Sequence, residues 1–211
     1  MQSTDLAARY VFGSNALDGI TLSFQQTQEI LGQAGSIDPE TELKGADGKT
    51  FEAAIVLGHS KALKLLHERV LAGGFAAEEL IKSLHSAMME DLLLSAGEYR
   101  EVALRVKGLL IPSPPHSLEE RMVALLNLVN VGLEKASDKN QLAWRVHHEF
   151  YTIHPFIEGN GRIARLLLNY VRLRAGLGLS LLGPAQREQY GRAIIEFQKQ
   201  KIAKAKRKAG Q

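Results

Sequence analysis

The stretch from His154 to Arg165 holds the groups with which this chain could do chemistry. Gly159 and Gly161 let the backbone turn tightly and be approached closely, and they stand where the strongly helical run Leu166-Leu167-Leu168-Asn169 begins. The unpaired N–H groups and the positive dipole end of that helix then face outward together as an anion-binding nest. Arg162 and Arg165, spaced as neighbours on the first turn, add two permanently charged forks shaped for phosphate oxygens. Beside such a nest Glu158 would only repel phosphate, unless it holds a magnesium ion that bridges the phosphate oxygens. His154, just ahead of the nest, can take a proton from an incoming hydroxyl near physiological pH and act as a general base.

Taken singly, an Arg pair on a helix is most often a solvated face, a lone His structural and a Gly-Asn-Gly a turn. Joined, they are far less ordinary: with His154, Phe156, Gly159, Asn160, Gly161, Arg162 and Arg165 as fixed positions, agreement by chance at one place is about one in a billion. Other motifs fail on context. Gly159 to Ala164 formally fits a dinucleotide-binding pattern, but no strand precedes it and no βαβ unit surrounds it. No P-loop spacing is present. His147, His148, Glu149, His154 and Glu158 do not make a zinc site, because there is no HExxH pair and adjacent residues on a helix diverge by about 100°.

The elements that must position these groups read as helices. Phe51, Ile55, Ala62, Leu63, Leu66 and Val70 follow a helical period, as do Leu80, Ile81, Leu84, Met88 and Leu92, which predicts helices over about 50–72 and 77–95. Ser23 with Gln26, and Ser117 with Glu120, read as capping boxes that start helices near 24 and 118. A further helix is expected over about 138–152, and Pro184 suits the first turn of a last one with Tyr190, Ile194 and Phe197 on one face. The Gly- and Asp-rich stretch from Gly32 to Gly48 reads as a loop. Only residues 102–111, ahead of Pro112, Pro114 and Pro115, alternate as a short exposed hairpin would. The expectation is an all-α bundle with one small β-hairpin.

Composition narrows the partners. At 211 residues with 45% hydrophobic and 23% charged, the chain is an ordinary globular domain with a modest extension, and the absence of cysteine removes disulfides, Cys-ligated metal and thiol catalysis. The net charge of +3 is concentrated in the segment from Phe197 to Gln211, which has six Lys or Arg and no acid; the remainder is acidic on balance. The basic balance therefore does not describe the folded body, and no nucleic-acid partner is expected for it. The longest apolar stretch, Val123 to Leu133, contains two Asn and is too short to span a bilayer. Neither a membrane partner nor a signal peptide is expected, and the reading is cytoplasmic.

The stretch from His154 to Arg165 resembles the signature of the Fic family, His-x-Phe-x-(Asp/Glu)-Gly-Asn-Gly-Arg-x-x-Arg, at every defined position. The likeness extends over about residues 80–198: Gly97-Glu98-Tyr99-Arg100 is similar to the family's turn into a flap hairpin, and Pro112 to Pro115 to the flap's end. The resemblance implies a Fic-type helical bundle, with 50–198 as the catalytic domain, 1–35 as an N-terminal segment and 199–211 as a basic tail. It implies transfer of AMP from ATP to a Ser, Thr or Tyr hydroxyl of a target protein, the chain itself included. His154 would deprotonate the hydroxyl, Glu158 would hold Mg²⁺, Gly159, Asn160, Gly161 and Arg162 would cradle the phosphates, and Arg165 would take the γ-phosphate. A target segment would pair with the flap, over about 103–111 and its residues Leu104, Val106, Leu109 and Leu110. Tyr190 would line the adenine pocket. The family often has a second aromatic residue where this chain has Gly191, and an Asn where it has Gln198.

A second resemblance lies near the N-terminus. Ser14 to Gly19 is similar to the inhibitory motif Ser/Thr-x-x-x-Glu-Gly/Asn of one Fic class, whose Glu pairs with the second motif Arg and so blocks the γ-phosphate. Here Asp18 stands at the Glu position, followed by Gly19. Asp is one methylene shorter, so unless the helix shifts inward by about a bond length the pair with Arg165 is expected to be longer and weaker, and the inhibition leaky. Two alternatives stay open: removal of AMP or transfer of another phosphate-containing group on the same fold, and a non-catalytic binding protein that uses the basic tail. A homo-oligomer is left open as well.

Overall fold

The computed structural model describes residues 3–33, 48–106 and 112–209. Among the described residues the regular elements are eight α-helices: α1 (Ser3–Leu17), α2 (Phe24–Gln33), α3 (Gly48–Ala72), α4 (Glu78–Met89), α5 (Leu118–Lys135), α6 (Lys139–Ile153), α7 (Asn160–Arg174) and α8 (Arg187–Ala209). Single 3₁₀ turns at Pro115–Ser117 and Pro184–Gln186 lead into α5 and α8. None of these helices is long and apolar enough to cross a membrane.

The bundle is built around α7. Every residue of α7 from Arg162 to Val171 is buried, which is the signature of a central helix packed on all sides. Its neighbours supply apolar faces: Leu142, Val146 and Phe150 from α6, Met122, Leu125 and Val129 from α5, and Leu80, Ile81, Leu84 and Met88 from α4. The long α3 packs on α4 and α7, and the N-terminal pair α1 and α2 lies against α3. The end of α1 reaches the start of α7.

Local chemistry sets the boundaries. At α2 the capping box forms as expected, with Ser23 N–H donating to Gln26 Oε1 at 2.8 Å and Gln26 N–H to Ser23 Oγ at 3.2 Å. At α5 it does not. The 3₁₀ turn already occupies Ser117, whose hydroxyl donates to the Pro114 carbonyl at 2.9 Å and accepts from Arg121 Nε at 3.2 Å. Asp138 caps α6 instead, accepting from Gln141 N–H at 2.8 Å. Helix α4 stops at Met89, short of the predicted 95, because both Glu90 and Asp91 are drawn to Lys61 on α3 and the chain then folds into turns.

The expected hairpin is a correction. Among the described residues no strand is present: residues 101–102 form a bend and 103–106 carry no regular structure. Leu104 and Val106 fall in this irregular stretch, while Leu109 and Leu110 lie outside the described residues. A two-stranded hairpin with no third strand or packed face is marginal by itself, and alternation in the sequence could not supply that missing support. The basic tail is helical, continuing α8 to Ala209, and Lys201 within it pairs with Glu149 of α6.

Candidate active site

The turn between α6 and α7 gathers the chemistry. His154 closes α6 in the left-handed region, at φ 53° and ψ 59°, the one described non-glycine residue with positive φ. Its Nδ1 lies 3.2 Å from the Tyr151 carbonyl, which can only accept, so Nδ1 carries the proton and the Nε2 lone pair is left for a substrate. Burial pushes the imidazole down to about 4; the Tyr151 carbonyl works the other way, Arg100 adds to the depression and Asp18 opposes it. The ring is therefore neutral at pH 7, as a base requires.

From Pro155 the chain makes a short loop that Asn160 closes on itself. Phe156 N–H donates to Asn160 Oδ1 at 3.0 Å, and Asn160 Nδ2 donates to the Phe156 carbonyl at 2.8 Å. The amide of Asn160 is thus committed to the loop, and what it offers a ligand is backbone. Gly159 then takes φ 75°, and a side chain there would stand 2.7 Å from Met88 Cε. The first amide to bond back along α7 is Ile163, to the Gly159 carbonyl at 3.0 Å, which leaves the N–H groups of the first turn directed outward. They face a cleft of about 680 Å³ lined by Asp18, Tyr151, His154, Glu158, Gly159, Gly161, Arg162 and Arg187, with Met89, Leu92 and Val106 on its apolar side.

The two arginines differ. Arg162 is buried, and its Nε and Nη1 have no hydrogen-bond partner; Asp18 Oδ2 is 3.5 Å from Nε. Buried guanidinium donors without partners are costly unless a ligand satisfies them, so this side chain fits an anion. Arg165, only 1% exposed, is instead fully engaged. Its Nε donates to Ser14 Oγ at 2.7 Å and its Nη2 to the Ser14 carbonyl at 2.9 Å, while Nη2 also lies 2.9 Å from Asp18 Oδ2. Its Nη1 donates to the Tyr190 hydroxyl at 3.0 Å. Burial works against its charge, but the Asp18 carboxylate and Tyr190 outweigh this and hold it above the usual arginine value.

The Asp18–Arg165 pair has the length of an ordinary charge-assisted bond, the case in which the helix end stands close enough to offset the shorter side chain. The missing methylene is made up by close approach. A methyl group on Gly161 would stand 2.9 Å from Asp18 Oδ1, so the absent side chain is what lets the end of α1 come so near α7. Gly19, at φ 96°, turns the chain away directly afterwards. Tyr190 is placed against Arg165 and is not among the residues lining the cleft; its hydroxyl donates a hydrogen bond to His147 Nε2, 2.8 Å away. His147 is fully buried and held well below its ordinary value by burial, so it accepts as the neutral ring. Trp144 packs edge-on to His147 and stacks on His148. Gln198 is buried next to Thr152, and a side chain at Gly191 would meet nothing within 4 Å.

Several residues that hold the site were not singled out by spacing. His85 on α4 stacks on Phe156, with ring centroids 3.7 Å apart and planes 7° from parallel. Its Nδ1 accepts from Gly97 N–H at 2.8 Å, so Nε2 carries the proton and donates to the Glu158 carbonyl at 3.1 Å. Burial pushes this ring down to about 4 as well. His59, beneath the end of α1, donates from Nδ1 to Asn15 Oδ1 at 2.8 Å. One histidine on an apolar face gives no hint of such a partner, because the partner lies 44 residues away in the chain.

A helical bundle with a phosphate-shaped nest at one helix start and a neutral imidazole beside it defines a class of phosphoryl- or nucleotidyl-transfer sites. Residues 75–171 match the model of the Fic/DOC family. It is similar to the protein adenylyltransferase fic-1 of Caenorhabditis briggsae, 28% identical over 193 residues that cover 86% of this chain and 34% of that protein. Among solved structures it is similar to a form of Fic-1 from Caenorhabditis elegans, with a TM-score of 0.76 and 27% identity over 90% of this chain and 54% of that one. A Fic domain containing signaling protein from Bacteroides thetaiotaomicron shares the fold, with a TM-score of 0.77 at 22% identity, covering 92% of this chain and 75% of that one. The chain spans about a third of the length of most curated relatives it matches.

Proposed function

We propose that this domain transfers AMP from ATP to a hydroxyl of a protein side chain. The carrying observation is a neutral His154 with a free Nε2, set in one cleft with the first turn of α7 and the unsatisfied donors of Arg162. In the proposed reaction His154 takes the acceptor's proton as the hydroxyl oxygen bonds to the α-phosphorus. The bond from that phosphorus to the β-phosphate oxygen breaks and pyrophosphate leaves. Gly159, Asn160 and Gly161 offer backbone to the phosphates, and Arg162 neutralises charge that grows during the displacement. Arg165 would hold the γ-phosphate once it leaves Asp18.

Glu158 lines the cleft with an exposed carboxylate that forms no ion pair among the described residues, which fits a Mg²⁺ ion held by one carboxylate and substrate phosphates. Such an ion would supply charge neutralisation on the phosphate oxygens. A target segment is proposed to lie along residues 103–106 by backbone pairing, where Val106 already borders the cleft. Ser14 and Asp18 are proposed to inhibit by occupying Arg165, with the 2.9 Å pair as the support. Incubation with α-labelled ATP and Mg²⁺ tests the reaction: label is expected on protein with the natural chain and none with His154→Ala. Equal labelling of both would refute the reading.

A further inference from the structure

Arg100 is 3% exposed and forms no ion pair among the described residues, so a cation is buried with no carboxylate to meet it. Among the described residues each of its three side-chain nitrogens donates to a backbone carbonyl. Nε donates to His154 at 2.8 Å, Nη1 to Val102 at 2.6 Å and Nη2 to Ser113 at 2.5 Å, while its own N–H donates to Pro155 at 2.9 Å. Three carbonyls from three separate parts of the chain thus converge on one planar fork. A lysine ammonium could not serve them in those directions, because only guanidinium presents rigid, divergent donors.

We infer that Arg100 is a positioning residue for the transfer reaction, fastening the left-handed backbone of His154 to the chain at Val102 and Ser113 so that base and cleft wall keep one geometry. The left-handed conformation of a non-glycine residue persists only where its surroundings over-determine it, and two bonds from Arg100 end on His154 and the residue after it. The charge has a second effect. Around the His154 imidazole stand Arg100, Asp18 just after α1, Tyr151 from α6, and across the cleft Glu158, Arg162 and Arg187. Among them Arg100 adds to burial in favouring the neutral ring, while Asp18 and the Tyr151 carbonyl oppose it.

This inference rests on the AMP-transfer reading for its kinetic test and not for its spectroscopic one. Arg100→Gln removes the charge and the fork; Arg100→Lys keeps the charge and loses the fork. Both are expected to lower kcat by about a hundredfold, as a misplaced general base does, with KM for ATP within about twofold. In NMR titrations of the nucleotide-free protein, Arg100→Gln is expected to raise the His154 midpoint by about half a unit or more, and Arg100→Lys to leave it in place. The acid limb of the rate profile should move with it. A kcat within twofold of the natural chain for both variants, or a His154 midpoint unmoved by Arg100→Gln, would overturn the inference. If Arg100→Gln does not melt cooperatively, Arg100→Lys decides alone: loss of kcat at constant KM supports the role, and proportional damage to both overturns it. Should the natural chain transfer no AMP, the functional reading falls, and the titration still judges Arg100.

Discussion

The floor of the cleft and the wall that faces it are built to different standards. The floor is the His154 turn and the buried run of α7 from Arg162 to Val171, and its loop is closed by Asn160, by the stacked His85 and by Arg100, with each bond ending on backbone. The wall is the last turn of α1. It meets the floor through Ser14 and through Asp18, whose side chain is 31% exposed and whose hold is on guanidinium alone. A floor fixed by backbone bonds can keep reacting atoms in register, whereas a carboxylate held only by guanidinium groups can be exchanged for another anion of similar reach. On the proposed reading, rigidity is thus placed where the chemistry needs it and left out where a substrate must displace something.

The comparison can be broken at either side. On the floor, His154→Ala is expected to cut AMP transfer by about a thousandfold or more, read by label incorporation, and to leave ATP binding intact. At the wall the sign reverses. Asp18→Gly removes a charge-assisted bond to a buried cation and is expected to raise self-modification about tenfold, together with tighter ATP binding by calorimetry. An unchanged rate would show that the pair does not restrain Arg165.

Acidification probes both sides at once. His85 and His154 are lowered to about 4, and His59 and His147 well below the ordinary value, all chiefly by burial. Their neutral forms are favoured in the folded state, so between about pH 6.5 and 4 the unfolded chain binds protons that the folded chain refuses. Stability from these groups is complete above about pH 6.5 and is lost as pH falls. Thermal melts are expected to drop by at least about 5 °C from pH 7 to pH 5. A flat profile would mean these rings are solvated. The smallest effect is expected from Tyr190→Phe, which removes one hydroxyl from Arg165 and from His147 and should raise transfer a few-fold, with no gain when combined with Asp18→Gly.

What the sequence made legible follows from how local each feature is. The residues of the nest are contiguous, and their types alone restrict the chemistry, so His154, Glu158, Gly159, Gly161 and Arg162 were readable and are found around one cleft. Helices were readable from apolar period because each buries a face against α7 or its neighbours. Contacts that join distant segments were not. Arg100 meets the His154 carbonyl across 54 residues, and nothing in the spacing of either tells where the other lies. Whether Asp18 reaches Arg165 was open for the same reason: side-chain length can be counted, but the approach allowed by Gly161 belongs to how the end of α1 meets α7. Tyr190 was placed on the correct face of its helix, yet which neighbour its hydroxyl meets depends on Arg165 being turned toward α1.

The lone indole of the chain gives this architecture an optical consequence. Trp144 touches His147, His147 holds Tyr190, and Tyr190 holds Arg165, so an event at the guanidinium is three contacts from a fluorophore. Emission from the unlabelled protein should therefore register release of the ion pair in real time, and a stopped-flow trace on mixing with nucleotide would time that step without any added dye.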